Sequence, residues 1–133
     1  MPGIINFSEA ASIGLHGMIL IARSKSHINV IQIAEQLHSS KHHVAKIMQR
    51  LVKEDFISSF RGPTGGFVME KKPEEITFLQ IFEAIEGKLK ITSCPFENEH
   101  LCGFEKCILN NITSKMTADF KEYMERQTLD LYI

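Results

Sequence analysis

No cysteine lies outside the stretch Cys94–Cys107 of this 133-residue chain. A disulfide framework would scatter pairs along the sequence, so none is expected. Long hydrophobic runs are missing as well: nothing approaches the roughly 18 apolar residues that cross a bilayer, and the longest candidate is Gly17–Ala22. Met1–Phe7 has no basic segment of the kind that opens an export signal. With three unpaired thiols, that points to a cytoplasmic protein with no membrane partner. There is no C-x-x-C pair, no glycine-rich nucleotide loop, and no Ser/His/Asp or paired-carboxylate arrangement. Those absences argue against an enzyme, including a small thiol redox enzyme. Internal repeats and low-complexity segments are absent too.

What is present fits one domain, with 44% hydrophobic residues to build a core and 23% charged residues to keep it soluble. The net charge of −1 conceals an uneven distribution. Residues 1–67 hold seven Lys/Arg against four Asp/Glu, while residues 68–133 hold eight against twelve. Lys41, Lys46, Arg50 and Lys53 fall in a stretch that contains no acid. Phosphate attraction is local under physiological screening, so a neutral protein can bind DNA through one basic element. A solvated helix face would account for the same charges.

Hydrophobic spacing divides the chain into short elements. Ser8 caps a first helix to about Ala22, with Ala11, Leu15, Met18, Ile19 and Ala22 as its apolar stripe. After a polar loop over Arg23–Ile28, Asn29 caps a short helix whose Ile33, Ala34 and Leu37 face inward. Ser40 caps the next, where Val44, Ile47, Met48 and Leu51 recur at helical spacing. Two helices so closely joined make a helix-turn-helix. Phe56–Phe60 and Gly66–Met69 then read as strands around the turn residues Arg61-Gly62-Pro63-Thr64-Gly65, giving a β-hairpin and hence the outline of a winged helix.

Thr77 and Gln80 form a capping box that opens a helix with Phe78, Ile81, Phe82 and Ile85 inward and Gly87 as its stop. A last helix is expected from about Leu109 to Leu131, carrying Ile112, Met116, Phe120, Tyr123, Met124 and Leu131. It would pair with the same helix of a second copy, or dock back on its own chain. The expected fold is therefore mainly α with a small β-hairpin wing. Residues 1–87 would form the winged helix-turn-helix DNA-binding domain, residues 88–108 a cysteine-bearing loop, and residues 109–133 a dimerisation helix.

In a helix-turn-helix the second helix brings its N-terminal residues to the base edges of the major groove. Here that end presents Ser40, Lys41, His42 and His43, while Lys46, Gln49 and Arg50 lie off the apolar stripe. These side chains can donate or accept at bases, or pair with phosphates. Arg61, beside Gly62 and Pro63 at the hairpin tip, suits the negative potential of a narrow minor groove. In the second half, Cys94, Cys102 and Cys107 share a segment with Glu97, Asn98, Glu99, His100 and Glu105, too polar for a core element. Three thiols so placed read as a metal or iron–sulphur site with one position left for another ligand, although buried cysteine is also a plain apolar residue.

The run Ser58–Phe67, continued by Pro73-Glu74-Glu75-Ile76-Thr77 and Ala84-Ile85-Glu86-Gly87, resembles the Rrf-two family of bacterial winged-helix regulators, and the likeness extends over Phe7–Leu129. Its most specific parts are the Arg-Gly-Pro-x-Gly-Gly-aromatic wing and the three-cysteine loop. Thr64 stands where the family usually has glycine. The resemblance implies a homodimer, held by its C-terminal helix, on a partly palindromic double-stranded operator, with Arg61, Gly62 and Pro63 at the minor groove. It also implies a [2Fe–2S] or [4Fe–4S] cluster on Cys94, Cys102 and Cys107, through which iron, redox state or nitric oxide would control operator binding. One branch of the family supplies a histidine three residues after the third cysteine, where this chain has Asn110. Another supplies an N-terminal carboxylate from the partner subunit, which matches Glu9; His100 is the local alternative. Some members use no cluster, leaving zinc binding or thiol redox sensing as the other role for the cysteines.

Overall fold

The computed structural model describes residues 7–91 and 102–133. Helix α1 (Glu9–Arg23) begins where the Ser8 hydroxyl accepts the Ala11 N–H at 3.0 Å. Its expected stripe holds at Ala11, Leu15 and Met18, but Ile13 and Ile21 are buried as well. The helix is central, packed against the two helices that follow it and against the helix that follows the hairpin. Gly14 permits that closeness: a Cβ there would lie 2.0 Å from Cδ1 of Ile85.

Helix α2 (Val30–Leu37) opens with a capping box in which Asn29 accepts from Gln32 and the Gln32 side chain accepts in return, both at 2.9 Å. His38 ends it in the left-handed region, at φ 51°. Two residues later the Ser40 hydroxyl accepts the His43 N–H at 3.1 Å and starts α3 (Lys41–Lys53). Val44, Ile47, Met48 and Leu51 are all buried, as their spacing predicts. Each cap satisfies an N–H that the first helical turn leaves without a backbone partner.

Strands β1 (Ile57–Phe60) and β2 (Gly66–Met69) pair antiparallel, with Ile57 opposite Met69 and Phe60 opposite Gly66. Gly62 takes φ +115° in the connecting turn, a conformation open to glycine at little cost. Ile28, expected in a loop, bridges Phe67 on the free side of β2, and the Phe67 N–H donates to its carbonyl at 2.8 Å. That pairing ties the wing to the entrance of α2.

A 3₁₀ turn at Pro73–Glu75 leads to α4 (Phe78–Glu86), which begins with the Thr77/Gln80 capping box and ends at Gly87. Leu79, Ile81 and Ile85 are its buried residues, while Phe78 and Phe82 are half-buried against other aromatic rings.

The last helix is shorter than its apolar pattern suggests. Helix α5 spans Ile112–Arg126, beginning after left-handed Asn110 and Asn111. At Gln127 the backbone becomes extended: the Phe78 N–H donates to Gln127 O at 2.8 Å and the Leu129 N–H to Ile76 O at 3.2 Å. A second 3₁₀ turn, Leu129–Tyr132, follows, with Leu129 fully buried. Pairing with the entrance to α4 satisfies backbone groups and buries Leu129 together, so the helical period stops there. Met124 joins the same core, whereas Ile112, Tyr123 and Leu131 remain exposed.

Candidate functional site

The third helix carries the residues expected to read DNA on the side away from its buried stripe. Ser40, Lys41, His42, Lys46, Gln49 and Arg50 are exposed and His43 is half-buried. His42, Lys46 and Gln49 follow at helical spacing along one outer face. Gln49 is the α3 residue that lines a groove of about 550 Å³, formed otherwise by Asn29, Val30 and Ile31 at the start of α2 and by the wing, including Ser59, Arg61, Gly62 and Pro63. Gln49 and the wing therefore border one shared surface.

Arg50 is placed apart from that surface. Its Nη1 donates to the carbonyl of Ile85 at 2.8 Å, in the last turn of α4, where carbonyls lack helical partners. The guanidinium thus joins α3 to α4. At the wing, Arg61 and Pro63 are exposed, and the Gly65 N–H donates to Gly62 O at 2.9 Å to close the turn. The His27 ring meets Phe60 edge-on at 5.2 Å, at the turn end of the hairpin.

Of the proposed ligands, Cys94 and His100 lie outside the described residues. Cys102 and Cys107 are free thiols, each half-buried. Backbone N–H groups of Asn111 and Leu109 hold the Cys107 thiol below its ordinary pKa, with Asn110 adding to the effect and burial partly opposing it. Such donors favour the thiolate, the form that binds metals. Asn110 contributes backbone here: its N–H also donates to the Cys107 carbonyl at 3.1 Å. Among the described residues no three His, Cys, Asp or Glu side chains come together as a metal site.

Glu9 stands at the first position of α1 with its side chain 70% exposed. Its carboxylate is 3.8 Å from Nδ1 of His43. Neighbouring residues fix this corner: Ser8 donates to Glu86 on α4, and Phe7 packs against Phe82 and Phe120 at 5.7 and 6.1 Å between centroids. These contacts and the Arg50 link join residues far apart in the chain, and no local spacing in the sequence signals them.

Helices α2 and α3 with the β1–β2 wing define a winged helix-turn-helix protein, an architecture used to place a helix in DNA. The chain belongs to the Rrf2 family: the family described as "Iron-dependent Transcriptional regulator" matches residues 7–132. It is accordingly a transcriptional regulator of that family. The transcriptional regulator NsrR of Bacillus subtilis is 28% identical over 102 residues, covering 76% of this chain and 70% of the relative. IscR of Pectobacterium atrosepticum is 23% identical over 103 residues, covering 77% of this chain and 62% of the relative. Among solved structures, CymR, described as the global cysteine regulator of B. subtilis, superimposes with a TM-score of 0.78 at 23% identity, covering 97% of both chains. IscR of T. potens gives a TM-score of 0.75 at 19% identity, covering 96% of this chain and 85% of the other. These structural likenesses establish the fold, and the family match carries the regulatory class. No helix among the described residues is long and apolar enough to cross a membrane.

Proposed function

We propose that this regulator binds a partly palindromic double-stranded operator as a homodimer and that an iron–sulphur cluster controls the binding. The observation that carries the DNA-reading part is the groove shared by Gln49 on α3 and Arg61 on the wing. One docking would bring the start of α3 into the major groove, with Ser40, Lys41, His42 and His43 at its mouth and Lys46 and Gln49 further along. Arg61, Gly62 and Pro63 would then reach the adjacent minor groove. Arg50 would support the frame through Ile85. For the homodimer, the support is the exposed apolar set Ile112, Tyr123 and Leu131 at the C-terminal end of the fold.

Cys94, Cys102 and Cys107 would hold a [2Fe–2S] or [4Fe–4S] cluster, with Glu9 of the second copy or the local His100 as fourth ligand. The donor chemistry fits in the described part: two free thiols, one with its pKa lowered by backbone N–H groups, and an exposed carboxylate. When bound, a cluster with one oxygen or nitrogen ligand supplies an iron open to oxygen, nitric oxide or ligand exchange. Glu9 lies at the start of α1, next to α3, so its engagement would bear on the placement of the reading helix.

Anaerobic purification followed by visible absorption, iron and sulphide analysis and native mass spectrometry tests this reading. A coloured dimer whose mass includes iron and sulphide supports it. A dimer still colourless after reconstitution removes the cluster and favours the second reading, zinc binding or thiol sensing. The backbone N–H groups that lower the pKa of the Cys107 thiol suit that alternative.

A further inference from the structure

From the contact between Glu9 and His43 we infer that Glu9 is an internal competitor of DNA for the reading end of α3. The inference rests on α3 being the DNA-reading helix and is independent of any cluster. His43 is in the first turn of α3, and no acid of α3 itself occupies that turn. The positive end of a helix attracts anions, so a carboxylate beside it holds a place that a DNA phosphate would also favour. Glu9 brings such a carboxylate from another helix, 3.8 Å from Nδ1 of His43.

Neighbouring residues hold the backbone that carries Glu9, whose own side chain is 70% exposed. The Ser8 hydroxyl caps α1 and donates to Glu86, and Phe7 packs on the edge of the pair formed by Phe82 of α4 and Phe120 of α5. Three consecutive residues therefore reach α5, α4 and α3 in turn. Glu9 also lines a groove with His16 and His38, but Nδ1 of His16 is engaged with the Ser12 carbonyl at 2.7 Å. While Glu9 faces His43, the ring has a nearby acceptor and the helix end a nearby negative charge. Both oppose contact with DNA. Anything that draws the Glu9 carboxylate away takes a negative charge from beside His43 and removes a repulsion from the phosphates.

The test uses metal-free protein prepared with chelator and reductant, and a duplex recovered by the wild-type protein from a randomised library. Binding is compared for wild type, Glu9→Gln, His43→Gln and the double variant. At low salt Glu9→Gln should bind about three- to tenfold tighter, and the gain should shrink as salt screens it. In the His43→Gln background the same substitution should give less than half of that gain. Glu9 is exposed, so Gln should preserve the fold, and equal melting temperatures check this. No tightening by Glu9→Gln overturns the inference. Equal tightening in both backgrounds also overturns it, because Glu9 would then act without His43. Recovery of no duplex by wild-type protein overturns the DNA-reading premise itself.

Discussion

At the scale of single residues, two side chains combine packing and chemistry in ways that can be measured. Arg50 lies on the exposed part of α3, yet its guanidinium donates to Ile85 O at the end of α4. Arg50→Ala removes that hydrogen bond and should cost about 1 kcal/mol, lowering the melting temperature by several degrees in thermal unfolding. Lys46→Ala, by contrast, should leave the melting temperature nearly unchanged while weakening DNA binding and its salt dependence. Cys107 offers a chemical test. Its thiol is held below the ordinary value by N–H groups of the turn before α5, so thiolate should form at lower pH in the folded than in the unfolded chain. Alkylation rate measured against pH in metal-free Cys94→Ser/Cys102→Ser protein should therefore rise at a lower midpoint when native than in denaturant.

At the scale of elements, the sequence was most legible where local chemistry decides the structure. Ser8, Asn29, Ser40 and Thr77 are caps because short polar side chains satisfy the first N–H groups of a helix, and each lies where a stripe begins. The wing was equally legible, since its turn residues and the change of period coincide. Legibility failed where partners are distant. The apolar period carries on past Arg126, but extended pairing of Gln127–Leu129 with Ile76–Phe78 ends the helix. The inner face of α4 takes Leu79 with the expected Ile81 and Ile85, while Phe78 and Phe82 turn their rings toward Phe7, Phe120 and Tyr132. Ile13 was missed for a similar reason: a helix covered on more than one side buries more than one stripe. In the candidate site, residue types were readable but their neighbours were not, and the meeting of Glu9 with His43 is the main case. Leu129→Ala tests the importance of the C-terminal turn: deleting a fully buried side chain should cost about 2–5 kcal/mol, measured by denaturant unfolding.

At the scale of the whole molecule, the question is which surfaces are left for other copies. Met124 and Leu129 face the core, so α5 is anchored to its own chain, while Ile112 and Tyr123 are left outward. If these outward residues form the homodimer contact, Ile112→Glu with Tyr123→Glu should give a monomer by light scattering, with helix content retained. DNA affinity should fall with it, because two half-sites would no longer be bound together. The bridge between Thr77 and Thr128 has a mechanical consequence. It joins both ends of a long excursion of chain at one place, making all of the cysteines part of a closed noose. Within that closed stretch α4 follows Thr77 directly and α5 leads into Gln127, so on either side a helix lies between the cysteines and the bridge.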